Sequence, residues 1–194
     1  MRLPSPSEPV TELRRIPIVE CGEPLASFLG MGERIVQDRP VFAYTRATMA
    51  RKTVVQMLSR AADALPPGYR LGIIEGWRPA YIQRRMYLAV WRWFEGRNPD
   101  WSHTKLRRVV NRFTAPLDAR VPPPHTTGGA VDVRLLNEEG EQCDCRSPFE
   151  PFDTAAYPMN AKGLSQLARE NRMILARAMT EGGLTNYPSE YWHW

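Results

Sequence analysis

Apolar residues recur at the spacing of an α-helix in four stretches of the chain. This pattern predicts helices over residues 45–65, 79–95, 104–113 and 161–181. Pro66-Pro67-Gly68 ends the first helix, Pro79 suits the first turn of the second, and Gly182-Gly183 ends the last. The second helix carries apolar residues on two faces, among them Trp91 and Trp93, and is therefore expected to be deeply buried.

Three shorter stretches have the character of β-strands. Residues 69–74 form an apolar run between turn signals, residues 131–136 alternate as a strand does, and Ile16-Pro17-Ile18-Val19 is expected to be an edge strand. Residues 1–15 are predicted to be an extended leader, and residues 137–159 a long irregular connection of the kind that often has a function. The chain is thus predicted to form a single α+β domain over residues 16–194, with a small, mostly antiparallel sheet flanked by helices.

Composition narrows the class of protein. Of the 194 residues, 43% are hydrophobic and 24% charged, and no apolar run approaches the roughly 20 residues of a membrane span. The first residues lack the apolar core of a secretory signal, so a cytoplasmic location and no membrane partner are expected. The net charge of +5 lies largely in arginines that alternate with apolar residues inside the predicted helices. This arrangement favours solvated helix faces, and no nucleic-acid partner is predicted.

The three cysteines are predicted to be reduced thiols. Their number is odd, and Cys143 and Cys145 are too close in sequence for an easy disulfide. A second zinc site at these two thiols would need two further ligands, and only His103 would remain to contribute, so free loop thiols are favoured. His103 itself is predicted to lie at the start of a helix that Ser102 caps.

Two short segments carry the side chains best suited to bind a metal or to catalyse a reaction. His125 precedes Asp132 by seven positions, and Glu190 precedes His193 by three. Two imidazoles and one carboxylate are a normal set of zinc ligands that leaves one coordination position open. We therefore expect one Zn²⁺ per chain, held by His125, Asp132 and His193, with Glu190 left as a general base. In a regular strand residues 190 and 193 would face opposite sides, so a bend or helical turn is expected between them.

This set of residues suits peptide hydrolysis. Zinc lowers the pKa of bound water toward about 7 and polarises a carbonyl group. Arg78, at the junction between a predicted strand and a predicted helix, is the expected partner of the developing oxyanion, because a guanidinium stays charged throughout. Gly128 and Gly129 would allow close backbone approach near the metal, although a plain turn is equally compatible.

The same segments resemble the D-alanyl-D-alanine dipeptidases, the zinc enzymes that include the vancomycin-resistance dipeptidases. The resemblance rests on His125-x-x-Gly128-x-Ala130-x-Asp132, Glu190-x-Trp192-His193, Gly76-Trp77-Arg78-Pro79 and the opening stretch of residues 16–25. It implies an α+β fold, zinc ligation by His125, Asp132 and His193, Glu190 as catalytic base, and stabilisation of the transition state by Arg78. It also implies a D,D-dipeptide substrate held in a confined cavity.

Two positions depart from the family pattern or match it ambiguously. The family commonly has a serine two residues before the first histidine ligand, where it meets the substrate carboxylate, and this chain has Pro123. Glu150 and Asp153 both match the acidic loop residue that receives the substrate ammonium.

Two alternative functions stay open. One is a related zinc carboxypeptidase or endopeptidase acting on peptidoglycan stem peptides, and the other is a non-catalytic zinc-bound binding protein. The oligomeric state is not predicted.

Overall fold

The computed structural model describes residues 17–40, 44–111, 113–116, 118, 121–150 and 153–194. The predicted leader, residues 1–15, lies outside the described residues. The regular elements are β1 (Leu25–Ser27), β2 (Ile35–Gln37), β3 (Met49–Arg51), α1 (Lys52–Ala64), β4 (Arg70–Glu75), α2 (Ala80–Arg97), α3 (His103–Val110), β5 (Asp132–Leu136) and α4 (Gln166–Gly182). Two short 3-10 helices, Pro124–Thr127 and Thr154–Ala156, flank β5 in the chain.

Two small sheets form the β-structure of the described residues. In the larger sheet the strand order is β2-β4-β5, with β2 parallel and β5 antiparallel to the central strand β4. Strands β1 and β3 form a separate antiparallel pair. Helices flank these sheets, so the prediction of an α+β fold with a mostly antiparallel sheet is confirmed.

The hydrophobic core lies between the larger sheet and two packed helices, α1 and α4. The central strand β4 is buried along nearly its whole length, as its apolar sequence predicts. Close helix packing depends on Gly182, since a Cβ atom there would lie 2.5 Å from the Met57 carbonyl oxygen. Fully buried side chains from four elements meet in this core: Leu58, Leu71, Ile73, Val133, Leu135, Leu175 and Met179.

Several element boundaries differ from the predicted ones because tertiary contacts use the backbone differently. Residues 49–51 form β3, which pairs with β1, so the first helix begins at Lys52. The last helix begins after Ser165, whose side chain accepts a hydrogen bond from the Ala168 amide, because Gly163 has the positive φ of +86°. Residues 17–19 form no strand, and the exposed Ile18 and Val19 show that no apolar face is buried there.

The prediction that the second helix is deeply buried is wrong. Only Ile82 and Gln83 of α2 are buried, whereas Tyr81 and Trp93 are 65% and 51% exposed. Helix α2 packs chiefly against the short helix α3, and Ser102 caps the latter as predicted. Aromatic side chains contact one another within this hairpin, as in the pair of Phe94 and Phe113. No helix of the described residues is long and apolar enough to cross a membrane.

The long irregular connection before α4 is held by one buried arginine. Arg172 donates hydrogen bonds to the carbonyl oxygens of four residues of the connection, and its guanidinium lies 4.0 Å from the centre of the Tyr191 ring. The four residues are Cys145, Ala156, Pro158 and Met159. Arg172 thereby joins the connection to the C-terminal segment. All three cysteines are free, as predicted.

Replacing Gly182 with alanine should lower stability. The added methyl group would push α4 away from α1, and overpacking of this kind costs about 1–3 kcal/mol. Gly96→Ala is the matched control, because Gly96 also lies in a helix but has no atom within 4 Å of the added Cβ. It should stabilise the protein by about 0.5–1 kcal/mol. Chemical denaturation of both variants measures the difference, and equal effects would contradict the packing argument.

Candidate metal centre

His125 is held in an orientation that leaves one ring nitrogen free for a ligand role. It lies in the 3-10 helix Pro124–Thr127, where proline stiffens the first turn. Its Nδ1 lies 3.0 Å from the Gly76 carbonyl oxygen, which can only accept a hydrogen bond. The contact therefore assigns a proton to Nδ1, so Nε2 is the ring nitrogen that can offer a lone pair to a metal. The ring is buried, with 6% exposure.

Asp132 and His193 are brought together by strand pairing. The C-terminal segment runs antiparallel to the start of β5, with reciprocal backbone hydrogen bonds between Val131 and Trp194 of 2.8 and 2.9 Å. In this register Asp132 and His193 form a β-bridge, while Asp132 is also the partner of Glu75 in β4. Three neighbouring backbones thus place Glu75, Asp132 and His193 in one row across the sheet.

The three predicted ligands converge. Oδ2 of Asp132 lies 3.3 Å from Nε2 of His125, and Oδ1 lies 2.8 Å from Nδ1 of His193. One donor atom from each of the three side chains falls within 4.8 Å of the others. Within the described part of the chain no other three His, Cys, Asp or Glu side chains are arranged in this way. The alternative of a second zinc site at Cys143 and Cys145 thus has no further ligand there.

This donor set fits zinc. Tetrahedral zinc with bonds of about 2.0–2.2 Å sets its ligand atoms roughly 3.5 Å apart. The donor atoms here lie within 4.8 Å of one another, so small side-chain shifts would bring them to that spacing. Burial alone would raise the pKa of Asp132, but the charges and hydrogen bonds of the two imidazoles outweigh it and lower that pKa. Burial would lower the pKa of His193, and the hydrogen bond to Asp132 reverses this and raises it. The carboxylate is therefore ionised and available as a ligand.

Glu190 shares a tight turn with His193. The His193 amide donates to the Glu190 carbonyl oxygen at 3.1 Å, and the Asn186 side chain donates to the carbonyl oxygens of both residues. The predicted bend between residues 190 and 193 is confirmed. Burial, followed by the negative charge of Asp132, raises the pKa of the Glu190 carboxyl group. A raised pKa is the property expected of a carboxylate that accepts and returns a proton.

Arg78 lies in the same site and is almost entirely buried. The pKa values of Glu190 and His193 are both raised overall, and the positive charge of Arg78 partly opposes each rise. Its backbone amide donates to the His125 carbonyl oxygen at 3.0 Å, which ties the junction before α2 to the metal-binding segment. The structure thus brings residues 78, 125, 132, 190 and 193 together, and the roles predicted for them stay predictions.

Three residues around Arg78 were not predicted from the sequence. Its guanidinium donates to Gln83 Oε1 at 2.7 Å, to Glu75 Oε2 at 3.1 Å and to the Tyr44 hydroxyl at 3.2 Å. Glu75 and Gln83 are 4% and 1% exposed. A signal for Glu75 was present in the sequence, since it ends an apolar strand directly before the Gly76-Trp77-Arg78 motif. Gln83 is the one polar residue buried in α2 and carries no such local signal.

Two glycines let the backbone segments of the site approach the β1–β3 pair. A Cβ atom on Gly76 would lie 2.4 Å from the Met49 carbonyl oxygen, and one on Gly128 would lie 2.8 Å from a Leu25 methyl group. Gly128 also has a φ of +73° and accepts a hydrogen bond from the Arg51 amide. Its close approach is therefore to the strand pair behind the site.

Comparison with known proteins agrees with this geometry. Residues 36–194 match the model of the D-Ala-D-Ala dipeptidase family, which is most of the chain and includes the whole constellation. The chain belongs to this family. It is therefore a metallopeptidase by descent, and the family as a whole depends on zinc.

Relatives within the D-Ala-D-Ala dipeptidase family are distant in sequence but align over most of this chain and most of their own length. A D-alanyl-D-alanine dipeptidase of Synechocystis is 24% identical over 95% of this chain and 86% of its own. The D-alanyl-D-alanine dipeptidases of Escherichia coli and Enterococcus faecalis are 22% and 26% identical, over 81% and 80% of this chain and 71% and 77% of theirs.

The residues expected to contact substrate lie in different environments. Glu150 is exposed, and Asp153 uses its carboxylate to accept a hydrogen bond from the Ala155 amide at the start of a 3-10 helix. Burial raises the pKa of Tyr157, and the negative charges of Glu190 and Asp153 raise it further. Pro123 precedes the 3-10 helix of His125 and offers a backbone carbonyl, bonded to Thr126, in place of a serine hydroxyl.

Loss of one ligand should remove the metal. His193→Ala takes away one imidazole of the converging set and should reduce bound zinc to well below one equivalent, as measured by elemental analysis after dialysis. His103→Ala is the matched control, since His103 lies at the start of α3 and contacts the Trp91 ring instead. It should retain one zinc. Equal zinc content in the two variants would contradict the assignment of His193 as a ligand.

Zinc binding should weaken as pH falls. Both imidazoles must be deprotonated to bind metal, and the pKa of His193 in the metal-free protein is raised, so protons compete at a higher pH than for an ordinary histidine. Competition with a chelator of known affinity at about pH 8 and about pH 6 measures this effect. The apparent affinity should be lower at the lower pH, and a pH-independent affinity would contradict the ligand set.

Proposed function

We propose that this protein is a zinc-dependent dipeptidase that hydrolyses D-alanyl-D-alanine or a similar D,D-dipeptide. The observation that supports it most directly is the turn that places Glu190 beside His193 while strand pairing places His193 beside Asp132. A potential base and a potential metal site are thereby held within one rigid unit. The family membership of the chain supports the same reaction class.

His125, Asp132 and His193 would hold the metal ion. When bound, zinc supplies Lewis acidity, which makes water a better nucleophile and a carbonyl carbon a better electrophile. The His125 contact with Gly76 and the backbone pairing of residues 131–133 with residues 192–194 fix the direction of the ligands before metal binds. Such outer contacts preserve ligand geometry and affinity in zinc enzymes.

Glu190 is proposed as the general base. Its carboxylate accepts the proton of the attacking water and then returns it to the amine that leaves. Burial and the charge of Asp132 raise its pKa, which makes the carboxylate a stronger base than one exposed to solvent. The backbone turn and the two hydrogen bonds from Asn186 keep this residue in place.

Arg78 is proposed to stabilise the oxyanion. Its guanidinium keeps its charge over the pH range of catalysis and is shielded from water, so its attraction to the developing negative charge is stronger than in solvent. Asp153 and Glu150 are proposed to bind the ammonium group of the substrate. The proposed substrate is a small peptide.

The runner-up is a zinc carboxypeptidase or endopeptidase that acts on peptidoglycan stem peptides. It is favoured by the position of Pro123, since the serine that meets the dipeptide carboxylate in the family is absent. A non-catalytic zinc-bound binding protein ranks lower, because both Glu190 and Arg78 are present and lie in the site.

Hydrolysis of D-Ala-D-Ala, L-Ala-L-Ala and a stem pentapeptide by the zinc-loaded protein separates these possibilities. Release of D-alanine from the D,D-dipeptide alone, abolished by a chelator and restored by zinc, is the expected result. Preference for the pentapeptide would support the runner-up. No release from any of the three substrates would contradict an enzymatic role.

Replacing Glu190 with glutamine should abolish turnover and keep the metal. The amide cannot accept a proton, and loss of a positioned general base lowers kcat by about 10²–10⁴-fold. Zinc content should stay at one equivalent, because Glu190 is not among the converging ligands. Glu138→Gln, which makes the same change at an exposed loop position, should leave kcat unchanged. Wild-type activity of the Glu190 variant would remove this residue as the base.

A further inference from the structure

We propose that Glu75 and Gln83 are positioning residues that hold the Arg78 guanidinium in the one orientation in which it meets the oxyanion. This inference rests on the proposed function and names residues of the site that neither the motif nor the family resemblance assigned. Both side chains touch Arg78 and lie outside the set of converging metal ligands.

The guanidinium of Arg78 is held through all three of its nitrogens. Nε donates to Tyr44, Nη1 to Gln83 and Nη2 to Glu75. A planar group bonded at three different corners can neither rotate in its plane nor tilt out of it. Among the described residues, these contacts use three of its five N–H bonds, one on each nitrogen. A guanidinium held at all three nitrogens keeps one direction, which suits recognition of an oxygen that bears negative charge.

The acceptors around Arg78 are themselves fixed. Gln83 donates from its amide nitrogen to the Ala115 carbonyl oxygen at 2.8 Å and to the Thr114 hydroxyl at 3.1 Å, so its Oε1 must face Arg78. The Tyr44 hydroxyl donates to Glu75 Oε2, the same oxygen that accepts from Arg78. Glu75 also occupies the strand position opposite Asp132. Glu75 therefore fixes the Arg78 side chain relative to the row of the sheet that carries two of the proposed metal ligands.

Charge balance gives a second reason for Glu75. An arginine with 8% exposure needs a compensating charge, because an unpaired buried charge is very unfavourable. Glu75, with 4% exposure, supplies it at 3.1 Å. Glu75 occupies one edge of the Arg78 guanidinium. Another edge can then interact with the negative charge that appears only during the reaction.

The test compares variants that disturb the orientation of Arg78 while they retain Arg78 itself. Glu75→Gln keeps the size of the side chain, and Gln83→Met removes the acceptor with little change in volume. Each should lower kcat for D-Ala-D-Ala by about 10- to 100-fold, the cost of a misplaced catalytic group, with KM changed by less than about threefold. Bound zinc should stay at one equivalent. A phosphinate analogue of the tetrahedral intermediate should lose affinity by a similar factor.

Asp38→Asn is the matched control for Glu75→Gln. Asp38 forms a partly buried ion pair with Arg134, and its loss removes a carboxylate from the same sheet without touching Arg78. It should leave kcat and inhibitor affinity unchanged even if it lowers thermal stability. Unchanged kcat and phosphinate affinity in both Arg78-neighbour variants would overturn the positioning role. Absence of turnover in the wild-type protein would instead contradict the proposed function.

Chemical rescue keeps the proposal testable if Glu75→Gln fails to fold. Arg78→Ala leaves the acceptor groups of Glu75, Gln83 and Tyr44 facing an empty site, which added ethylguanidinium can fill. Activity of Arg78→Ala should rise with ethylguanidinium concentration and saturate. Rescue should be lost in the double variant Arg78→Ala/Gln83→Met. Equal rescue of the single and double variants would show that the acceptors do not orient the cation.

Discussion

The antiparallel pairing of the C-terminal segment with the start of β5 is the constraint on which the site depends. The reciprocal hydrogen bonds of Val131 and Trp194 set a register in which Asp132 and His193 are direct neighbours. A shift of one residue would turn every side chain of the segment to the other face of the sheet. Burial of the Trp194 side chain in the core opposes such a shift, so hydrophobic packing protects the geometry of a polar site.

Buried charged side chains are stabilised in two different ways in this protein. At the site, Glu75 and Arg78 neutralise each other, while Asp132 is stabilised by two imidazoles and would be neutralised by metal. Away from the site, Arg172 has backbone carbonyl oxygens and the face of Tyr191 as partners. This second arrangement fixes an irregular segment through its backbone, and so depends little on which side chains that segment carries.

The sequence predicted which side chains meet at the candidate site better than it predicted the boundaries of the fold. His125 and Asp132 stand in one short segment and Glu190 and His193 in another, and the turn between Glu190 and His193 followed from strand periodicity. Strands β1 and β2 were missed because three residues are too few to show alternation. The helix predicted from residue 45 begins later because β3 pairs with β1, a contact between distant parts of the chain. Gln83 was missed because its acceptor role exists only once Arg78 and Ala115 meet around it.

Among the described residues, the hairpin of α2 and α3 meets the candidate site through the first turn of α2. Residues 78–83 carry Arg78 and Gln83, whereas the rest of α2 exposes aromatic and basic side chains and packs mainly on α3. Mutations beyond that first turn therefore meet few constraints from catalysis. The outer part of the hairpin can therefore change its length, charge and surface without moving the contacts between Arg78 and Gln83.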